Sequence, residues 1–477
     1  MVIKCSSPSC LLDKAFDNCY TIVMSSKQTI VAISTPIGVG GISIIRISGS
    51  KTLNILEKVA KSTLAPTKWT PRQLYNCQIK ASQYIENGMC VFFKAPFSYT
   101  GEDSAEFHIH GSPAIAEGVV RATIEAGAVP AGRGEFTMRA FLNGKMDLTQ
   151  AEGVADLINS ETDAQIKSAQ SLVSGGLFGK ITQIQDKIKK ILAKIEASID
   201  YPEEDIEEVT SNEAKIVIKD LQKTVGELLA TYNTGRFVRN GVRVAIVGKP
   251  NVGKSTLFNA LLGHNRSIVN ERAGTTRDTV EDSFLHKNVK FLLIDTAGLR
   301  KTADEIEAEG INRSFEAVKG ANIVIELGSR EQGIGSIGIG EMPEGKEWTE
   351  ELDGRRIVVL NKCDLLDPNH PLPSTPYPLL PISAKTGQNI DNLKDLLYQK
   401  TIATENIPAV MLTNARQHSA TLEASEALLR AYTALDSTLD CVSIELLSAY
   451  KALGTITGKI ATDDIVKQIF EDFCVGK

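Results

Sequence analysis

Gly248-Lys249-Pro250-Asn251-Val252-Gly253-Lys254-Ser255 directly follows the apolar stretch Val242-Arg243-Val244-Ala245-Ile246-Val247, and Leu257-Phe258-Asn259-Ala260-Leu261-Leu262 comes next. The order is strand, glycine-rich loop, helix, the setting a phosphate-binding loop needs. Glycines let backbone N–H groups close around phosphates, and the helix N-terminus adds partial positive charge. Lys254 is expected to reach the β- and γ-phosphates and the Ser255 hydroxyl to ligate Mg²⁺. Val252, Gly253 and Thr256 complete the cradle.

The nucleotide base is read further along. Phe291 to Ile294 reads as a buried strand delivering Asp295-Thr296-Ala297-Gly298, with Asp295 toward Mg²⁺ through water and the Gly298 N–H toward the γ-phosphate. Ile357 to Leu360 leads into Asn361-Lys362-Cys363-Asp364, where a carboxylate can accept the N1 and N2 donors of guanine. Adenine presents a lone pair at N1 and has no N2 donor, so these motifs favour GTP over ATP. Asn361 is expected to support the loop and the purine, and the Lys362 stem to cover the ring. Ser383-Ala384-Lys385 follows another apolar strand, with the Ala384 N–H facing guanine O6.

Thr276, within Gly274-Thr275-Thr276-Arg277-Asp278, is the switch candidate that meets Mg²⁺ only when a γ-phosphate is present. Leu299 follows Gly298, so the water-orienting glutamine of Ras-like enzymes is missing. The carboxylates between Lys301 and Glu309 read from spacing alone as a solvated helix face. Asn251 is evenly balanced between a monovalent-cation ligand and a turn-former beside Pro250.

A chain of 477 residues has room for roughly three domains. Its 42% hydrophobic and 23% charged content describes a globular protein able to build cores, and no apolar run approaches a membrane span. A net charge of −6 argues against a generally basic nucleic-acid binder and leaves room for a local basic patch. The eight cysteines include no C-x-x-C pair, so reduced thiols and a cytoplasmic location are expected. Residues 1–27 lack the apolar core of a secretory signal and the arginines of a mitochondrial transit peptide, and Met24 is an alternative start.

The expected organisation is a multidomain α/β chain. An uninformative leader (1–27) precedes an N-terminal α+β domain (28–146). A helical bundle domain in two parts (147–240 and 402–477) surrounds an inserted P-loop Ras-like GTPase domain (241–401). In the bundle, Ile181, Ile184, Ile188, Ile191, Ile195 and Ile199 recur at helical spacing, which marks a core stripe. Asn233-Thr234-Gly235 reads as a linker, Thr462 as a helix cap, and Gly328 to Lys346 as a Gly/Ile-rich loop.

With its ends included, the chain resembles the tRNA modification GTPase MnmE (TrmE) family over residues 28 to 477. The carrying segments are Ile30 to Pro36, Gly40-Gly41, Arg46-Ile47-Ser48-Gly49, Ser98-Tyr99-Thr100-Gly101-Glu102-Asp103 and Gly134-Glu135-Phe136-Thr137. Arg139 to Lys145, Asp147-Leu148, Gln150-Ala151-Glu152, Tyr201 to Asp205 and the tail Phe473-Cys474-Val475-Gly476-Lys477 complete them. The tail is the most specific, since the family ends in Cys-x-Gly-Lys. For Cys474 alone, a buried structural thiol is the better reading.

The resemblance implies a homodimer built through the N-terminal domain and no membrane association. It implies an FAD-containing partner, MnmG, in a heterotetramer or larger complex, acting with it on tRNA. The implied reaction installs a (carboxymethyl)aminomethyl group at C5 of wobble uridine 34. A tetrahydrofolate of the 5-formyl or 5,10-methylene type supplies one carbon, and Arg46, Glu106, Lys145 and Lys477 fall where family members contact it. In the GTPase, K⁺ replaces an arginine finger, and the G domains meet across the ion when GTP is bound, so that hydrolysis drives their dimerisation and opening. Asn251 matches the ion's asparagine ligand, and Asn270-Glu271-Arg272-Ala273-Gly274-Thr275 the loop around it, with Asn270, Arg272 and Thr275 as further ligands. Glu307 matches the glutamate that orients water, and joins Lys254 and Thr276 as catalytic.

His108 and His110 read as structural. Two departures stand out: Arg133 where the family usually has proline, and no aspartate at the end of Ile323-Val324-Ile325-Glu326. A different class, a ribosome-assembly or translation-regulating GTPase switch, accounts for the nucleotide motifs but not for the N-terminal segments or the tail. A third reading, a GTP-controlled dimeric scaffold for the flavoprotein, is not separated by sequence from direct participation by Cys474 or bound folate.

Overall fold

The computed structural model describes residues 28–200, 207–248, 251–263, 281–294, 318–329, 354–365, 379–402 and 407–460, with 466, 469–470, 473 and 475–476. The chain forms two compact units. One comprises Met1–Asn159, Ala169–Glu227 and Arg416–Lys477, the other Ser160–Ser168 and Leu228–Ala415. The second unit therefore interrupts the first in sequence, the insertion that helical runs on both sides of an α/β segment imply.

The first unit opens with a seven-stranded sheet of order β3-β4-β5-β6-β2-β1-β7. Its strands are β1 (Ile30–Ile33), β2 (Gly40–Ser48), β3 (Ala60–Lys61), β4 (Leu74–Ala81), β5 (Tyr84–Phe93), β6 (Ser104–Gly111) and β7 (Val129–Pro130). Strand side chains alternate between faces. Ile45 and Ile47 of β2, Ile79 of β4 and Phe107 of β6 thus share one core with Ile55 and Leu56 of α1 (Thr52–Val59) and Val119 of α2 (Pro113–Glu125). The same alternation sends Arg46 and Glu106 to the other face, directly opposite each other across β2 and β6.

Helices follow: α3 (Glu135–Leu142), α4 (Leu148–Ile158), α5 (Asp163–Val173), α6 (Gly176–Asp200), α7 (Glu207–Ala230) and α8 (Tyr232–Asn240). Asp147 caps α4 with a full capping box: its carboxylate accepts from the Thr149 and Gln150 N–H groups, and the Gln150 side chain accepts from the Asp147 N–H. In α6 the isoleucine stripe is buried from Ile181 through Ile195. It packs on α12 (Leu439–Thr457), where Gln185 Nε2 donates to the Tyr450 carbonyl. Helix α11 (Ala415–Ala434) runs beside α7, and Gln222 Nε2 donates to Leu428 O.

The second unit carries a six-stranded sheet of order β13-β12-β11-β8-β10-β9. These strands are β8 (Val242–Val247), β9 (Glu281–His286), β10 (Val289–Ile294), β11 (Ile323–Ser329), β12 (Arg356–Asn361) and β13 (Leu379–Pro381). All pairings are parallel except β9 with β10. Strand β8 lies at the point where order reverses, and in such sheets ligands bind beyond the strand C-termini there. Helices α9 (Lys254–Leu262) and α10 (Ile390–Thr401) bury Leu257, Leu261, Leu393 and Leu397 against one face.

Two local expectations are corrected. Asn233-Thr234-Gly235 is not a linker but lies inside α8. A Cβ on Gly235 would stand 2.2 Å from the Leu412 carbonyl oxygen, so the glycine serves close backbone approach. Gly328 and Ser329 belong to β11, because they continue its pairing with β12 opposite Leu360 and Asn361. Lys287 and Asn288 turn the β9–β10 hairpin with φ of +48° and +63°. Thr462 and residues 330–353 lie outside the described residues.

Candidate functional site

The nucleotide loop is shaped by close approach. Gly248 leaves β8 with φ +152°, and a Cβ there would meet Leu327 O at 2.3 Å. Asn251 adopts φ +64°, a left-handed conformation that asparagine tolerates better than most residues. Gly253 precedes α9 with φ +99°, and its Cβ would fall 2.3 Å from Asn361 Nδ2. Only a glycine fits both demands. The first helical bond runs from Leu257 N–H to Gly253 O at 2.9 Å, so the preceding amides face the loop. Lys254 folds back over that loop, Nζ donating to Gly248 O at 2.8 Å, while Ser255 and Thr256 stay exposed at the helix N-terminus. Lys249 and Pro250 lie outside the described residues.

Asn361 links three motifs. It ends β12 at 4% exposure, its Nδ2 donates to Val252 O at 2.9 Å, and its Oδ1 accepts the Ala384 N–H at 3.0 Å. The Ala384 N–H expected to face guanine O6 is thus engaged by Asn361, and serving O6 requires sharing that donor. Lys362 turns away with φ +64° and leads into the short 3₁₀ turn Cys363–Leu365, where Asp364 is exposed. Ser383 is fully buried and its Oγ accepts the Thr386 N–H at 3.2 Å, which fixes the turn holding Ala384 and exposes Lys385. Burial and the neighbouring Asp364 raise the Cys363 thiol above its ordinary range.

Asn270, Glu271, Arg272, Ala273, Gly274, Thr275, Thr276, Asp295, Thr296, Ala297, Gly298 and Glu307 lie outside the described residues. So do Cys474 and Lys477. In β11, next to the loop, Glu326 is fully buried and ion-paired with Arg356 of β12. Burial raises its carboxyl despite that arginine.

The N-terminal unit assembles a second site. Arg46 donates from Nε at 3.0 Å and from Nη2 at 2.8 Å to Glu106 Oε1. His108 Nε2 stands 3.2 Å from the other carboxylate oxygen. Burial works to raise the Glu106 carboxyl, but the bonds from His108 and Arg46 outweigh it and hold the group below the ordinary carboxylate range. The Arg46 guanidinium also lies 5.5 Å from the Tyr99 ring centre and 5.8 Å from that of Phe136. Tyr99 shares a 2.9 Å hydrogen bond with Thr137, and burial raises its hydroxyl. Lys145 belongs to the neighbouring loop, Nζ donating to Pro96 O at 3.1 Å.

Sequence reasoning passed over Tyr99, Phe136 and the Glu106 contact of His108. Tyr99 and Phe136 lie within segments that carry the resemblance, but nothing local pairs them with Arg46. His110 similarly contacts Glu86, so each histidine serves a carboxylate. No group of three or more His, Cys, Asp or Glu able to hold a metal occurs among the described residues.

The tail returns to this unit. Phe470 and Phe473 pack with Leu148 and Ala151, Val475 bridges antiparallel to Arg133, and Ser34 Oγ donates to Gly476 O at 3.1 Å. A Cβ on Gly476, at φ +96°, would lie 2.2 Å from Ile33 O. Gly134 (φ +60°) makes the matching approach, 2.9 Å from Phe470 O.

Comparison with known proteins covers almost the whole chain. A family model described as the MnmE helical domain matches residues 148–474, and one described as the GTP-binding protein TrmE N-terminus matches residues 29–145. The tRNA modification GTPase MnmE of Christiangramia forsetii is 37% identical over 95% of this chain and 100% of its own. That of Dichelobacter nodosus is 39% identical over 95% and 100%. That of Akkermansia muciniphila is 37% identical over 94% and 99%. Among solved structures, the G domain of the T. maritima FeoB iron transporter covers 33% of this chain and 98% of its own at 26% identity. Its TM-score of 0.22 is too low to carry weight.

Proposed function

The chain belongs to the MnmE family of tRNA modification GTPases, and from that membership we propose how its residues divide the work. It is a GTP hydrolase acting in tRNA modification. The loop from Gly248 to Thr256 holds the phosphates, Asp364 reads guanine, and Lys385 with Lys362 flanks the base. Ser255 and Thr276 would hold Mg²⁺, with Asp295 as a further acid for it, and the ion would supply neutralisation of phosphate charge. Asn251, Asn270, Arg272 and Thr275 would hold K⁺, which would supply positive charge in place of an arginine finger, and Glu307 would orient the attacking water. Glu271, Ala273, Thr296, Ala297 and Gly298 complete the γ-phosphate side.

The observation that supports the nucleotide part best is Asn361. One buried amide ties the phosphate loop at Val252 to the Ala384 turn, so the phosphate and base halves of the site move as one. Lys254 exchanges its Gly248 carbonyl for a phosphate when GTP enters.

The N-terminal site takes a folate. A pterin has paired N–H donors that a carboxylate accepts, and Glu106 is kept ionised for that by Arg46 and His108. Arg46, held between two rings, Lys145 and Lys477 take its carbonyls and carboxylate tail, and the folate supplies the one-carbon unit. Gly476 itself lies against the end of β1, accepting from Ser34 Oγ, and Cys474 and Lys477 are assigned to this site by the family resemblance. In this reading the protein is a cytoplasmic homodimer that works with an FAD-bearing partner of the MnmG type on wobble uridine 34. The chain division assigns 28–146 to folate binding and dimerisation, 147–240 and 402–477 to the helical domain, whose second part ends in the Cys-x-Gly-Lys tail, and 241–401 to the G domain. No helix among the described residues is long and apolar enough to cross a membrane.

The test is nucleoside analysis of tRNA from cells lacking the chain, complemented by the parent, by Glu307→Ala, or by a form ending before Cys474. Restoration of the C5-substituted wobble uridine by the parent alone is expected. Unchanged wobble uridine in the deleted cells refutes the reaction, and parental GTP hydrolysis by Glu307→Ala refutes that residue's role.

A further inference from the structure

The chain as a whole is acidic, yet residues 28–146 hold twelve Lys and Arg against eight Asp and Glu. An RNA that docks on this protein must meet a locally basic surface. One such surface lies at the β3 edge of the first sheet, away from Arg46 and Glu106. A cleft of about 690 Å³ and a neighbouring one of about 340 Å³ both include Lys61 and Gln78 in their walls, so they form one continuous groove. No carboxylate lines either cleft.

Three separate elements deliver the cations. Lys58 stands in the last turn of α1, Lys61 ends the two-residue strand β3, and Lys80 lies near the end of β4. All three are exposed. Alternation along β4 buries Cys77, Ile79 and Ala81 and turns Asn76, Gln78 and Lys80 outward. Register places Gln78 opposite both Lys61 and Asn87, which makes a row of lysine and amide side chains across three strands. The ring of Tyr84, 44% exposed, stands at the same edge.

A lysine on an edge strand also deters strand addition. That accounts for Lys61, and for Lys80 where β4 runs past the two pairs it makes with β3, but not for Lys58, which comes from a helix. Glu125 is 3.9 Å from Lys80 with both side chains 55% exposed, a loose pair that a phosphate can displace. Lys58 makes only a long 3.5 Å bond to Ala126 O. Phosphate and sugar contacts in nucleic-acid complexes draw on lysines together with Ser, Asn, Gln and Tyr groups, the set gathered here.

We infer that the groove walled by Lys58, Lys61, Lys80, Gln78 and Asn87 binds the sugar-phosphate backbone of the tRNA substrate. The inference rests on the tRNA-modifying reading above and adds where the RNA lies.

The test uses the full chain carrying Lys58→Gln, Lys61→Gln and Lys80→Gln, with the three Lys→Arg changes as the charge-keeping control. Binding of an unmodified tRNA transcript is measured across a series of NaCl concentrations. The Gln variant is expected to bind at least tenfold more weakly at low salt. Its slope of log affinity against log salt should shrink by about 2 to 3, roughly one per lost phosphate contact. The Arg variant binds as the parent, and GTP hydrolysis without tRNA and the melting temperature stay parental in both. Parental affinity and slope in the Gln variant overturn the inference and leave the function reading standing. A loss seen only with the flavoprotein present overturns it too, since the groove then meets protein. A parent that binds no tRNA overturns it, and unchanged wobble uridine in deleted cells is the separate result that removes the function reading.

Discussion

Replacing Asn361 by alanine tests the coupling between the two halves of the nucleotide site. Asn361 is 4% exposed, and its amide satisfies two backbone groups, the Val252 carbonyl at 2.9 Å and the Ala384 N–H at 3.0 Å. Alanine leaves both without that partner, and a buried unsatisfied group costs about 1–3 kcal/mol, so the nucleotide unit loses about 2–6 kcal/mol locally. At about 1.4 kcal/mol per factor of ten, the Ala384 share alone opens its amide roughly 5- to 150-fold more often. Amide hydrogen exchange resolved at Ala384 reads this directly, and binding of a fluorescent GTP analogue reports the consequence. Asn361→Asp separates the two bonds. It keeps an oxygen for the Ala384 N–H but sets a carboxylate against the Val252 carbonyl, so Ala384 stays protected while nucleotide affinity falls. Unchanged protection of Ala384 in the alanine variant would refute the argument, because the amide would then not depend on Asn361.

Three further outcomes are expected. Gly476→Ala should detach the tail, since its Cβ would meet Ile33 O at 2.2 Å. The left-handed conformation adds about 1–2 kcal/mol of strain for a side chain, and carboxypeptidase should remove the last residues at least tenfold faster than in the parent; equal rates would count against the docked tail. Arg416→Ala should leave the Glu152 carboxylate, 5% exposed, without its cation, removing bonds of 3.0 and 2.9 Å and keeping the 2.7 Å bond from Gln417 Nε2. The cost of about 3–5 kcal/mol should appear as a lowered first thermal transition, and an unshifted melt would show the pair to be dispensable. For Glu106 the folded carboxyl is depressed, so its contribution is full above the ordinary carboxylate value of about 4.3 and is lost as pH falls through the lower folded value. Arg46→Gln should move that loss to higher pH in a carboxyl-carbon titration, whereas an unmoved midpoint would assign the depression to His108 alone.

Much of the molecule was legible from local pattern. The loop from Gly248 to Ser255 announces itself because strand, glycines and helix are consecutive in the chain. The α6 isoleucines do so because a buried stripe repeats every three or four residues. The misreadings share one cause. Gly235 resembles a linker glycine until the Leu412 carbonyl is found where its Cβ would be. Gly328 and Ser329 resemble loop residues until β12 is found pairing with them.

What the sequence by itself determined is the order of the motifs, the class of each segment and the nucleotide chemistry, all of which depend on neighbours within about ten residues. Tertiary structure alone decided that Arg46 meets Glu106 sixty positions away, between the rings of Tyr99 and Phe136. It also decided that Asn361 joins Val252 to Ala384, and that a tail glycine rests on β1. These pairings follow from sheet register and from backbone approach distances, which are properties of packing between distant segments and leave no periodic trace along the chain.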